Sequence, residues 1–140
     1  MAASVSFGRM RRPDAPTYAV GVDLVQVEGL TRKLSISPGL AARTFTAAER
    51  AAADGLVGGR RADFLAGRFA AKEAVLKALG VGISGGVAPC DVEVTVGPAG
   101  EPLLALRDGA LRAAEARDLA HFTVSISHDG GFAIAFAVLA

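Results

Sequence analysis

The segment RRADFLAGRFAAKEAVLKAL, residues 60–79, decides the fold of this 140-residue chain. It contains no proline, its only glycine is Gly67, and Gly80 follows as a helix-ending residue. At 100° per residue, its large apolar side chains fill one broad arc, and alanines fill most of the remaining surface. This pattern predicts one long central helix that is buried on nearly every side.

Four charged side chains interrupt this apolar helix, namely Arg68, Lys72, Glu73 and Lys77. Buried charges need partners, so a cluster of four suggests a binding or catalytic site. A simpler interpretation pairs Glu73 with Lys77 as an ordinary i,i+4 ion pair. Arg68 and Lys72 would then extend their charged ends to solvent. The helix taken alone favours this simpler interpretation.

The flanking sequence predicts an α+β fold with a mainly antiparallel sheet against the central helix. Alternating apolar residues predict five strands, at 17–27, 91–96, 103–106, 121–127 and 132–140. Shorter helices are predicted within 28–44, where a helix and a loop are broken at Ser37-Pro38-Gly39, at 46–53 and at 108–119. Thr46 and Glu49 have the spacing of a capping box at the start of the second of these. We expect a single domain over 17–140, preceded by a flexible extension at 1–16.

Composition narrows the class of protein. The net charge is +1, which argues against general nucleic-acid binding because that function needs a strong basic excess. A single cysteine, Cys90, allows neither an internal disulfide nor a thiolate zinc site and suits the reducing cytoplasm. No apolar run approaches the length that spans a bilayer, and residues 1–16 lack the apolar core of a signal peptide.

Asp23 lies within the apolar strand segment TYAVGVDLVQV, where an unpaired carboxylate is costly. Gly21 points to the same face and leaves space beside it. Asp23 is therefore either a core carboxylate paired with Arg68 or a ligand for a hard metal ion. Asp23 and Glu73 together suit magnesium, which takes one or two protein carboxylates plus waters and phosphates.

Two further segments have the character of phosphate contacts. The stretch SISHD, residues 125–129, places His128 at the end of a strand, where it is either a turn residue or a phosphate ligand. The glycine-rich stretch from Gly80 to Gly86 offers backbone amides to phosphates.

These motifs together resemble the holo-acyl carrier protein synthases, the small phosphopantetheinyl transferases. The resemblance covers about residues 18–140. Four segments carry it, in the order of the family: GVDLV at 21–25, FT with Glu49 at 45–49, FLAGRFAAKEA through Lys77 at 64–77, and SISH at 125–128. The long-helix segment is the most specific of them.

The resemblance implies a compact α+β enzyme that assembles as a trimer with active sites between subunits. By motif position, Asp23 and Glu73 would hold Mg²⁺, and Lys77 would join them as a catalytic residue near the pyrophosphate. Coenzyme A would be the co-substrate. The residues implied to bind it are Arg68, Lys77, Gly80, Ser127 and His128.

The implied reaction transfers the 4′-phosphopantetheine arm of coenzyme A to a serine of an apo acyl carrier protein and releases adenosine 3′,5′-bisphosphate. Glu73, directly or through a metal-bound water, is the preferred base, and Lys77 is the competitor. The carrier would belong to a fatty-acid, polyketide or peptide synthetase. The alternative function is a non-catalytic module that binds coenzyme A or a carrier protein.

The chain departs from the family after the first motif. Many members have a basic residue there that meets the acidic carrier, whereas this chain has Glu28-Gly29. Arg32, Lys33 and Arg43 follow and are candidates to replace it.

Overall fold

The computed structural model describes residues 18–81 and 86–140. The predicted extension at 1–16 and the centre of the Gly80–Gly86 stretch lie outside these residues. Within them, the first half of the chain contains one strand and four helices: β1 (Ala19–Gln26), α1 (Val27–Ile36), α2 (Leu40–Thr44), α3 (Ala47–Asp54) and α4 (Gly59–Leu79). The second half follows a short 3₁₀ turn (Pro89–Asp91) with β2 (Val92–Val96), β3 (Pro102–Leu106), α5 (Asp108–Glu115), β4 (Phe122–Asp129) and β5 (Phe132–Leu139).

The described strands form two antiparallel sheets, and the long helix α4 packs against the larger one. That sheet has the strand order β1-β5-β4, so β1 and β4 are its two edges. The β2–β3 hairpin forms the second sheet. The α+β architecture with one long central helix agrees with the prediction.

Small residues let α4 lie close to the three-stranded sheet. Every second residue of β5 faces the helix as a fully buried alanine, namely Ala133, Ala135 and Ala137. On β1, a β-carbon at Gly21 would collide with the carbonyl oxygen of Ala74. On β4, the side chains of Ile126 and His128 come to 3.0 Å from where a β-carbon of Gly67 would lie. The two edge strands therefore contact α4 most closely at glycines: Gly21 leaves no room for a β-carbon, and Gly67 leaves room for one only if the side chains of Ile126 and His128 shift.

A buried ion pair ties α4 to the rest of the chain. Lys72 Nζ lies 2.8 Å from Glu49 Oε2, and neither side chain is exposed. Glu49 also accepts hydrogen bonds from the backbone of Thr46 and Val94, each at 2.8 Å. Its capping box with Thr46 is confirmed. The suggestion that Lys72 extends to solvent is wrong, because Glu49 offers it a complete partner inside the protein.

Lys72 uses its remaining donors on backbone carbonyls of Pro89, at 3.1 Å, and Val92. Burial lowers the pKa of Lys72, and the Glu49 carboxylate opposes that shift. Among the described residues, this network joins α3, α4, the 3₁₀ turn and β2. Lys72 thus belongs to the core and not to a binding site.

Element ends differ from the sequence predictions in two places. Helix α5 ends at Glu115 and not near 119, because Asp118 adopts a left-handed φ of 54° and turns the chain so that Leu119 is buried. The segment 28–44 is broken at the predicted place, but a second short helix, α2, and not a loop, follows Gly39, whose φ is 78°. No helix in the described residues has the length and apolar character needed to cross a membrane.

Candidate active site

Asp23 and Lys77 form the centre of the candidate site. Lys77, in the last turn of α4, donates a hydrogen bond to Asp23 Oδ1 at 2.8 Å and another to the carbonyl of Val22 at 3.0 Å. The Asp23 side chain is 16% exposed and that of Lys77 is 56% exposed, so the pair lies at the surface of the fold. Two interpretations from the sequence are therefore wrong: Lys77 pairs with Asp23 and not with Glu73, and Asp23 does not pair with Arg68.

Glu73 lies one helical turn before Lys77 and is partly buried. Burial raises the pKa of Glu73, the nearby Asp23 carboxylate raises it further, and Lys77 opposes the shift. Within the described residues, Glu73 makes no ion pair. The site thus holds two neighbouring carboxylates with only one cation in direct contact.

A cleft of about 800 Å³ opens beside these carboxylates. Asp23 and Glu73 contribute to one part of its lining, and Lys33 of α1 and Arg43 of α2 contribute positive charge. The apolar residues of the lining are Leu24, Val25, Leu30, Leu40, Phe69 and Pro89. An apolar cleft with a few charged groups is the usual form of a ligand site.

The two carboxylates fit a magnesium ion. Both are hard oxygen donors, they come from different elements, and they line the same cleft. Magnesium is usually held by one or two protein carboxylates and completes its shell with waters and phosphates. The described residues contain no group of three or more His, Cys, Asp or Glu side chains placed to hold a metal.

Arg68 lies away from the cleft. Its guanidinium stacks on the Phe64 ring at 4.0 Å, and the residue is only 8% exposed. Burial lowers the pKa of Arg68, with Glu49 acting in the opposite direction. None of the described residues accepts a hydrogen bond from its buried Nε atom. A buried donor of this kind is rare and suggests that a further partner belongs there.

His128 and Ser127 lie on β4, at the opposite edge of the sheet from Asp23. Two strand spacings, about 10 Å, separate these edges. His128 Nε2 lies 2.7 Å from the carbonyl oxygen of Asp63. Because a carbonyl only accepts, Nε2 carries the hydrogen and Nδ1 is left for another partner. Ser127 points to the other face of the sheet, since successive strand residues alternate.

Gly80 ends α4 in the left-handed conformation, with φ of 70°, three residues beyond Lys77. The structure therefore brings together Asp23, Glu73, Lys77 and the start of the glycine-rich stretch. Arg68, Ser127 and His128 form no part of that cluster within one chain.

Two features of the site escaped prediction from the sequence. The backbone carbonyl of Val22 accepts a hydrogen bond from Lys77. Such a contact cannot be inferred from residue type, because every residue has a backbone carbonyl. Phe69 packs against the core, as the apolar arc of the helix predicts, but it also lines the cleft. A large aromatic residue four positions before Glu73 is consistent with either location.

Comparisons with known proteins identify the family of the chain. The family model of the 4′-phosphopantetheinyl transferase superfamily matches residues 19–137. The holo-[acyl-carrier-protein] synthase of Frankia alni is 44% identical over 119 residues, covering 85% of this chain and 93% of the relative. That of Salinispora arenicola is 45% identical over 120 residues, covering 86% and 95%.

A solved structure gives the same result. The holo-(acyl-carrier-protein) synthase of Bacillus anthracis, crystallised in complex with CoA (3′,5′-ADP), superposes with a TM-score of 0.72 at 36% identity. The match covers 86% of this chain and 94% of that one. The family resemblance and the fold class predicted from the sequence are thereby confirmed, and the chain belongs to the 4′-phosphopantetheinyl transferase superfamily.

Proposed function

We propose that this enzyme transfers the 4′-phosphopantetheine arm of coenzyme A to a serine of an apo acyl carrier protein. The observation that carries the proposal is the convergence of Asp23, Glu73 and Lys77 beside one cleft, in a chain whose relatives are holo-[acyl-carrier-protein] synthases. A non-catalytic binding module would have no use for two neighbouring carboxylates whose mutual repulsion is only partly offset.

The reaction is a phosphoryl transfer. The serine oxygen forms a bond to the phosphorus that carries the pantetheine arm, and the bond from that phosphorus to the bridging oxygen breaks. Adenosine 3′,5′-bisphosphate leaves with the electron pair of that bond. Most of the catalysis in such reactions comes from positioning and from stabilising negative charge.

We propose that the Glu73 carboxylate accepts the proton of the attacking serine hydroxyl. Glu73 lines the cleft beside Asp23, so its carboxylate is positioned to accept a proton from a substrate bound there. Lys77 is less suited to this role, because it donates hydrogen bonds to Asp23 and to the carbonyl of Val22. We propose that its ammonium instead contacts the pyrophosphate.

Asp23 and Glu73 are the proposed magnesium ligands. Bound there, the ion supplies neutralisation of the pyrophosphate and of the charge that develops on the leaving oxygen. The chain's own contribution is to hold Asp23 at the edge of the sheet through the close contact of Gly21 with α4.

The test is transfer to a carrier, measured by mass spectrometry. Incubation with coenzyme A, magnesium and apo carriers of the fatty-acid, polyketide and peptide synthetase types should add one phosphopantetheine arm to at least one of them. The Asp23→Ala variant and removal of magnesium with a chelator should both abolish the addition. An unmodified carrier panel with folded enzyme would contradict the proposal.

We further propose that the active form is a homotrimer in the cytoplasm, with each site shared by two subunits. The outward face of the three-stranded sheet supports assembly, because it exposes large apolar side chains: Val20, Val22, Leu24, Ile134 and Phe136 are 42–61% exposed. Patches of this kind mark protein interfaces.

The separation of the candidate binding residues supports a site that is shared between subunits. Asp23 and His128 lie on opposite edges of one sheet, and the Nε donor of Arg68 has no partner among the described residues. A second copy that brings its β4 edge to the Asp23 cleft would place the two groups around one coenzyme.

Mixing inactive variants tests this arrangement. Asp23→Ala and His128→Ala should each be inactive alone. After their subunits are exchanged, about a quarter of the sites should regain both groups, because the two halves come from different chains. Light scattering should give the mass of a trimer. A fully active monomer, or no recovery on mixing, would contradict the shared site.

A further inference from the structure

Lys77 contacts the carboxylate of Asp23, which is also one of the two proposed metal ligands. Its Nζ lies 2.8 Å from Asp23 Oδ1 and 3.0 Å from the carbonyl of Val22. The lysine side chain is 56% exposed, so its end is free to move, whereas Asp23 is 16% exposed and held by the strand. The contact is therefore between a fixed carboxylate and a movable cation.

We infer that Lys77 is a removable counter-ion of Asp23, which competes with the metal ion for this carboxylate until coenzyme A binds. This inference rests on the proposed function. A divalent ion on Asp23 and Glu73 would lie within a few ångströms of the ammonium, and the two positive charges would repel. Metal binding to the enzyme without coenzyme A must therefore displace Lys77 or be weakened by it.

The role is specific to Lys77. In the described part of the chain it is the only cation that contacts either carboxylate, and Glu73 has no ion-pair partner. Lys33 and Arg43 line the same cleft but contact neither Asp23 nor Glu73 within ion-pair distance. Lys33 is consequently a matched control for the loss of one positive charge from the cleft.

Binding of coenzyme A would end the competition between Lys77 and the metal ion for Asp23. Its pyrophosphate offers Lys77 a new anionic partner, and the exposed stem of the lysine allows the ammonium to turn toward it. Once Lys77 leaves Asp23, the carboxylate is free for the metal ion. Coenzyme A and metal ion should therefore each strengthen the binding of the other, by the same factor.

The test is a titration with Mn²⁺, followed by the electron paramagnetic resonance signal of the free ion, on wild-type enzyme, Lys77→Gln and Lys33→Gln. Without coenzyme A, Lys77→Gln should bind Mn²⁺ about tenfold more tightly than the wild type, because Asp23 is freed. Lys33→Gln should change the affinity by less than about threefold, because that charge is farther away and more screened.

The titration is then repeated with saturating coenzyme A. The gain in Mn²⁺ affinity should be larger for the wild type than for Lys77→Gln, whose Asp23 is already free. Equal or weaker Mn²⁺ binding by Lys77→Gln without coenzyme A would overturn the inference. So would an equal gain in Lys33→Gln, which would indicate general electrostatics, and so would the absence of Mn²⁺ binding to all three proteins.

Failure here is distinguishable from failure of the proposed function. Suppose that the wild-type enzyme modifies a carrier but Lys77→Gln shows no gain in metal affinity. The proposed reaction would then stand, and only the competition between Lys77 and the metal ion would be excluded. Thermal unfolding of Lys77→Gln, expected within about 2 °C of the wild type, checks that the variant is folded.

Discussion

Helix α4 carries two lysines, Lys72 and Lys77, that each lie 2.8 Å from a carboxylate oxygen but serve different purposes. The Lys72–Glu49 pair has no exposed surface, and each partner uses its other hydrogen-bonding atoms on the backbone. The Lys77–Asp23 pair lies beside an open cleft with a second carboxylate, Glu73, next to it. Distance alone does not separate a structural pair from a functional one.

What separates them is the hydrogen-bonding capacity that remains. Glu49 and Lys72 are surrounded by backbone groups that satisfy them, so the pair has nothing to offer a ligand. Asp23 and Glu73 retain acceptor oxygens that face a cleft, and Lys77 has an exposed ammonium. A site therefore lies where charged groups are held in place but incompletely satisfied. Four predictions test this distinction.

The largest effect on stability is expected for Lys72→Met. It leaves the Glu49 carboxylate buried without a cation, and breaking a buried pair in this way costs about 3–5 kcal/mol. Chemical denaturation should show this loss. The double variant Lys72→Met/Glu49→Gln, which removes both charges, should recover part of it. A loss below about 1 kcal/mol in the single variant would contradict a structural role for the pair.

The next effect concerns activity and not stability. Glu73→Gln keeps the shape of the side chain but removes the proposed base and metal ligand, so kcat should fall by at least about 100-fold. Transfer to the carrier, followed by mass spectrometry, measures it. Retention of activity within about threefold would exclude Glu73 from the chemistry, and Glu28→Gln on α1 serves as a control for the loss of one carboxylate.

Gly21→Ala should have the third-largest effect, on both stability and activity. The added β-carbon meets the Ala74 carbonyl, so β1 must move away from α4 and take Asp23 with it. Overpacking of this kind costs about 1–3 kcal/mol. Activity should fall further than the loss of stability explains. A stable variant with normal activity would show that the close contact does not position Asp23.

The smallest effect is a gain in stability. The pKa of Glu73 is raised in the folded protein, so the unfolded chain gives up this proton at lower pH than the folded protein does. Stability is therefore lost as pH rises from the ordinary glutamate range through the raised pKa. In metal-free protein at pH 7, Glu73→Gln should raise Tm by about 2 °C.

This gain should disappear near pH 4, where wild-type Glu73 is protonated. Calorimetry at the two pH values checks both statements. A stabilisation that stays the same at pH 4 would point to a cause other than the charge of Glu73.

Much of the fold was predictable because its signals are local. The unbroken helical pattern of residues 60–79 predicted α4, and the spacing of Thr46 and Glu49 predicted the capping box. Alternating apolar residues predicted all five strands. Asp23 was recognisable as a candidate site residue because a carboxylate in an apolar strand is costly unless it is paired or binds a ligand. The family, carried by the α4 segment above all, followed from these residues.

The partners of the charged residues were not predictable, because they are set by contacts between distant parts of the chain. Lys72 meets Glu49 from another helix, and Lys77 meets Asp23 from β1, more than 50 positions earlier. Helical spacing suggested the local pair of Glu73 and Lys77 in their place. Sequence pattern also could not show that His128 lies apart from Asp23, since that follows from the strand order β1-β5-β4.

The placement of Asp23 and His128 on opposite edges of one sheet has a consequence for how much enzyme is needed. If each site is completed by a neighbouring copy, as proposed, an isolated chain is inert however well it is folded. Activity per molecule would then depend on abundance, falling on dilution below the dissociation constant of the assembly. Transfer capacity would respond to expression level more steeply than in direct proportion.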